Sequence, residues 1–137
     1  MTHITMPGQR FEGVHSTLEI SRPRDRVVLV TISGTDVGEL GDVPFQELAA
    51  DLADARPLEV FIDTRDARGA SMGVSQEWAA WLRNNRERFT RVTMLPGSRY
   101  IQVTADFVRR FADLGDRMCI TTDTRAFDAA ARGDAAR

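Results

Sequence analysis

Leu58-Glu59-Val60-Phe61-Ile62-Asp63-Thr64-Arg65-Asp66-Ala67-Arg68-Gly69-Ala70-Ser71 is the stretch whose reading decides the fold. Residues 58–62 have the length and apolar character of a short buried strand. Asp63 closes that run, and residues 64–71 read as a polar, glycine-containing loop. Helical spacing follows at Val74, Trp78, Trp81, Leu82 and Phe89. A buried strand that passes through a loop into a helix is the repeating step of a parallel α/β sheet. Ligands and partners meet such sheets outside the carboxyl ends of the strands, so the loop is the expected working end.

Upstream, residues 14–20 alternate strictly, with Val14, Ser16, Leu18 and Ile20 on one face and His15, Thr17 and Glu19 on the other. That is the pattern of a half-buried edge strand. A charged turn around Pro23 leads into Val27-Val28-Leu29-Val30-Thr31-Ile32, which is apolar on both faces and belongs inside a covered sheet. Residues 33–41 carry three glycines and read as loop. Asp42 and Pro44 then open an amphipathic helix with Phe45, Leu48, Ala49 and Leu52 on its apolar face.

Downstream, Arg91-Val92-Thr93-Met94-Leu95 is a fourth strand, stopped by Pro96-Gly97. Tyr100, Val103, Phe107, Phe111 and Leu114 form a helical stripe expected to face the core, with Gly115 ending that helix. Arg117-Met118-Cys119-Ile120-Thr121 is a fifth strand, and Thr122 or Asp123 caps a last helix with Phe127 and Ala130 inward. The predicted fold is α/β: a mixed, mostly parallel five-stranded sheet with about four helices, in the order β-β-α-β-α-β-α-β-α. Residues 1–13 read as a loose arm, residues 14–132 as one domain and residues 133–137 as a frayed tail.

Composition narrows the function classes. The formal charge of -2 supplies no net attraction to nucleic acid or to an anionic membrane. All 18 basic residues are Arg. Arg83, Arg86, Arg88 and Arg91 form a local basic face, but Glu87 interrupts it and no aromatic residues interleave it for base stacking. No apolar run approaches the roughly 20 residues of a membrane span. The lone Cys119 excludes an internal disulfide, and the first residues lack the apolar core of a signal peptide, so the cytoplasm is the expected compartment.

Three segments carry a family resemblance: Val27-Val28-Leu29-Val30-Thr31-Ile32-Ser33-Gly34, Val60-Phe61-Ile62-Asp63, and Thr122-Asp123-Thr124-Arg125-Ala126-Phe127-Asp128-Ala129-Ala130. With the element order, they resemble the STAS domain of bacterial anti-sigma-factor antagonists and sulfate-transporter tails, over residues 14–131. Trp78-Ala79-Ala80-Trp81-Leu82 and Ser98-Arg99-Tyr100-Ile101 look like the divergent STAS-like bacterial branch, which is also compared with the CRAL-TRIO lipid-transfer fold. The resemblance implies a non-enzymatic regulatory module that meets a protein partner at the loop after the third strand. Family antagonists carry an Asp-Ser-Ser-Gly-like turn there with a phosphorylated serine. This chain has Ala70-Ser71-Met72-Gly73, with Ser71 at the family's Asp and Met72 at its phospho-acceptor.

The candidate partner-binding residues are Asp63, Arg65, Asp66, Arg68, Ser71 and Ser75. Asp63 reads as a loop-capping carboxylate or a site carboxylate. Arg65, Asp66 and Arg68 read as solvated ion pairs or as an anion site. Ser71 and Ser75 read as helix caps or phosphate acceptors. A rival reading places a small apolar or lipid-like ligand under Trp78, Trp81, Phe107 and Phe111, with Asn85 as a polar group of the lining. No catalytic residues and no cofactor are expected, because no nucleophile stands beside a base. His3, His15 and Cys119 lack ligand spacing, so no metal is expected. An unpaired first strand is compatible with a homodimer.

Overall fold

The computed structural model describes residues 8–134. Residues 1–7 of the expected arm and 135–137 of the expected tail lie outside that range. Six strands form one sheet in sequence order: β1 (Gln9–Glu12), β2 (Ser16–Arg24), β3 (Val27–Asp36), β4 (Leu58–Ala70), β5 (Phe89–Pro96) and β6 (Met118–Ile120). β1 to β3 are antiparallel neighbours, and β3 to β6 are parallel. Four helices complete the fold: α1 (Val43–Ala53), α2 (Met72–Asn84), α3 (Arg99–Ala112) and α4 (Thr124–Arg132). The α/β class and the mostly parallel sheet agree with the sequence reading, with one more strand than expected.

The extra strand corrects the loose-arm reading for residues 9–12. Gln9–Glu12 pairs with β2, Phe11 standing opposite Leu18. It escapes periodicity because it is short and three of its four residues are exposed. β2 is therefore not an edge, and its apolar face is Ser16, Leu18 and Ile20, with Val14 outside it and exposed.

Right-handed crossovers between consecutive parallel strands put successive helices on one face of a sheet. Here α1, α2 and α3 bury Leu48, Trp78, Leu82, Ala105 and Val108 against Leu18, Val30, Val60, Ile62 and Val92. The other face is served by α4, where Phe127 and Ala131 cover Val27, Phe61 and Leu95. This two-sided burial is why β3 to β5 are apolar on both faces.

α3 is turned relative to expectation. Its buried residues are Ile101, Ala105, Val108 and Ala112. Tyr100, Val103 and Phe111 are exposed and Phe107 is half-buried, a stripe about a third of a turn away. The small side chains of Ala105 and Ala112 take sheet-facing positions with Ile101 and Val108, and the aromatic rings lie outside that face. α3 also stops before Gly115, because Asp113 takes the left-handed conformation at φ 58°.

Candidate functional site

The stretch from Asp63 to Ala70 is strand, not loop. β4 keeps its parallel ladder with β3 as far as Asp36↔Ala70, with register shifts between Thr31 and Ser33 and between Gly34 and Thr35. Each shift adds a residue to β4, and such bulges re-aim side chains beside functional sites. Thr64 is the last residue paired with β5, and its Oγ1 donates to Leu95 O at 2.8 Å. Beyond it β4 projects past β5.

The bulged segment holds a closed charge cluster. Arg65 Nε donates to both oxygens of Asp63 at 3.0 and 3.1 Å, and Arg65 N–H donates to Asp63 Oδ1 at 3.0 Å. Its guanidinium also forks onto Asp128 of α4, Nη1 at 3.3 Å from Oδ2 and Nη2 directly on Oδ1. The same guanidinium sits 5.9 Å from the Phe127 ring centroid. The pairing raises the Arg65 pKa further and lowers that of Asp128. Arg65, oriented by Asp63, thus fastens α4 to β4.

The Asp128 carboxyl is held below its ordinary value by Arg65, so its contribution is complete above the usual carboxylate pKa and fades as acid protonates it in the fold. Arg65→Ala is expected to cost about 2 kcal/mol at neutral pH, less than a fully buried pair because Arg65 and Asp128 keep contact with water. It should also flatten the loss of stability below about pH 4. Urea unfolding from pH 3 to 7 checks both, and a parallel shift of the whole curve would refute the linkage.

Ser71 caps α2, its Oγ accepting from Val74 N–H at 3.2 Å. Ser75 is 6 % exposed and its Oγ donates to Ser71 O at 3.1 Å, so it is a core residue and not a partner contact. Asp66 and Arg68 are exposed, while Ala67 between them is buried. Met72, at the start of α2, is 62 % exposed. The open part of this end is therefore Asp66, Arg68, the half-buried Ser71 and Met72.

Two acidic residues here went unremarked in the sequence. Asp36 ends β3 at 7 % exposure. Its carboxylate accepts from Gly38 N–H at 3.1 Å and its carbonyl from Ser71 N–H at 2.9 Å, so β3 is tied to the α2 start. Burial pushes its pKa up. Asp36-Val37-Gly38 is an Asx-turn sequence, a usable signal. Glu39 accepts from Val14 N–H (3.0 Å), His15 N–H (2.9 Å) and Ser16 Oγ (3.0 Å), which lowers its pKa, the His15 bond first. Nothing local marks it, since its partners lie more than twenty residues upstream.

The four aromatic residues of the expected ligand pocket fall into two pairs, and Trp78 meets Trp81 edge-on with centroids 5.7 Å apart. Trp78 is 7 % exposed, and Trp81 packs on Phe45 and Phe89 with centroids 5.7 and 5.4 Å apart. Phe107 and Phe111 lie on the outer side of α3, 4.5 Å from each other. Asn85 closes α2, its Nδ2 donating to Trp81 O at 2.8 Å, and lines no aromatic pocket. A separate cavity under α2 and α3, among Ile32, Ile62, Trp78, Met94, Ile101 and Val108, measures about 40 Å³. Cys119 is half-buried on the last strand, 4.0 Å from Arg91 Nη1, and not a core thiol. His3 lies outside the described residues. Among the described residues no three His, Cys, Asp or Glu side chains gather as metal ligands, and no helix is long and apolar enough to cross a membrane.

Two solved structures match this architecture. An uncharacterised protein of the DUF3478 family from Shewanella loihica PV-4, described as having a SpoIIAA-like fold, superposes with a TM-score of 0.59 at 15% identity, over 88% of this chain and 97% of that one. The Bacillus cell-fate determinant SpoIIAA in its phosphorylated form gives 0.58 at 15% identity, over 82% and 98%. This chain has the SpoIIAA-like fold. That fold is the STAS-like arrangement the sequence resembles, a sheet with its parallel strands and four helices. No protein-family model and no curated protein matches the sequence.

Proposed function

We propose that the protein is a non-enzymatic, STAS-like regulatory module that binds a protein partner at the carboxyl end of β4. The observation that supports this most is the projection of β4 beyond β5, which presents Asp66 and Arg68 to solvent beside the α2 start. Charged side chains on a stiff, bulged strand suit recognition, because little order is lost on binding. SpoIIAA-like proteins share this framework, and one of them is described in a phosphorylated form. Here the residue at the family's phospho-acceptor position is Met72, and the neighbouring Ser71 hydroxyl is engaged as the α2 cap. The proposed binding therefore does not depend on a phosphate at that turn.

The rival reading, an apolar ligand, has less support: the cavity under Trp78 is about 40 Å³, short of the roughly 300–1,000 Å³ of small-molecule sites, and the larger groove beside Phe107 and Phe111 is a surface trough lined also by Gln76, Arg83 and Asn84, without Trp78 or Trp81. Exchanging the two exposed charges, Asp66→Arg with Arg68→Asp, tests the partner surface at unchanged net charge. In pull-down from the source organism's extract the wild type should retain a protein that the exchanged variant loses by about tenfold or more. Equal recovery by both would remove β4 as the contact.

A further inference from the structure

A second surface, on the other side of α2, carries its own chemistry. Seven large apolar side chains are exposed among the described residues, and three of them, Tyr100, Val103 and Phe111, lie on α3. With half-buried Phe107 they are spaced 3, 4 and 4 residues apart, one stripe about 16 Å long. Phe107 and Phe111 also wall a groove of about 390 Å³, whose opposite side is α2 at Ala79, Ala80 and Arg83. Small side chains on one wall and rings on the other leave a trough that another helix can enter.

The rim decides what kind of helix. Arg83 lines the groove, and Arg99 and Arg110 adjoin the stripe on α3. All three are exposed, and no carboxylate among the described residues pairs with them. The acidic residues nearest the stripe on α3 are already engaged: Asp106 with Arg109 at 3.4 Å, and Asp113 with Arg86 at 4.0 Å. The rim is therefore locally basic on a chain whose formal charge is -2. A second copy of this face would bring the same arginines against themselves.

We propose that the α2–α3 groove docks an acidic amphipathic helix of a partner protein, its apolar side on the Tyr100–Phe111 stripe and its carboxylates on Arg83, Arg99 and Arg110. This contact goes beyond the β4 surface and does not require it. The probes are two synthetic peptides of about 14 residues, long enough to cover the stripe. Both carry leucines at helical spacing, one with glutamates on the remaining positions and one with lysines.

Titration followed by amide chemical shifts should move α2 and α3 resonances, with the glutamate peptide binding about tenfold tighter or more. Arg83→Glu with Arg110→Glu should reverse that preference, Phe111→Ser should abolish binding of both peptides, and the Asp66/Arg68 exchange should leave it intact. Circular dichroism confirms that each variant is folded. Equal affinities, no binding of either peptide, shifts confined to the end of β4, or a dimer in light scattering that Phe111→Ser dissolves would each overturn the proposal.

Discussion

Phe61→Ala is expected to lower the unfolding free energy by about 3–5 kcal/mol, the range for emptying a buried aromatic site. Phe61 is 1 % exposed and meets Phe127 edge-on, centroids 5.5 Å apart at 88°. Around them stand Val27, Leu95 and Ala131, and together these are the whole buried cluster between the sheet and α4. Few other side chains reach this layer, so the void left by the ring cannot be filled from nearby. The neighbouring ion pair does not rescue it, because Arg65 holds α4 at Asp128 and at the Phe127 ring, beside the void itself. Phe61→Leu keeps most of the volume and should cost about 1–1.5 kcal/mol. Trp78 and Trp81 lie on the opposite face, so their fluorescence in urea reports global unfolding and not the mutated site. A midpoint shift worth less than about 1 kcal/mol at unchanged slope would show that α4 contributes little to the fold.

The alternation at Leu18 and Ile20, and the apolar runs at residues 27–32 and 58–62, carried enough information to place a mixed sheet. Burial there is set by period and by chain composition, which a sequence displays directly. The far half of β4 reads as loop in the sequence because Asp and Gly are poor strand formers, and residue type outweighs pattern. The pattern is present: Asp66 and Arg68 are exposed, and Ala67 between them and Gly69 after them are buried. Small residues on the inner face carry little hydrophobic weight, so alternation was legible only to someone expecting a strand.

Helix α3 shows a different limit. Its aromatic stripe and its alanine-containing face are both periodic, and hydrophobicity favours the aromatic one. Which face packs is decided by how close the helix can come to the sheet, a tertiary quantity. The partner-site residues were limited in a third way. Asp63 and Arg65 are legible as charges, but the bond from Arg65 to Asp128 spans 63 residues. No local reading separates a charge held inside the fold from one offered to a partner.

Gly97→Ala should be strongly damaging, costing about 3 kcal/mol or more, the upper end of overpacking. Gly97 follows β5 at the point where the β4 ladder with it ends. A Cβ there would overlap the carbonyl oxygen of Arg65 and stand 2.6 Å from its carbonyl carbon and 2.7 Å from its Cα. All three atoms are backbone of a bulged strand, so no rotamer change relieves the overlap. Gly97 is not among the glycines of positive φ, so the penalty is contact and not conformation. That distinction is testable. Gly41 has φ 59° and nothing within 4 Å of an added Cβ, so Gly41→Ala isolates the conformational cost, about 1 kcal/mol. Displacing the Arg65 backbone would also loosen Arg65 from Asp63 and Asp128, so Gly97→Ala should expose the α4 junction to hydrogen exchange ahead of the rest of the sheet. If Gly97→Ala unfolds at the wild-type urea midpoint, or if its loss is no larger than that of Gly41→Ala, the close approach of β4 to the turn after β5 is not a constraint on the fold.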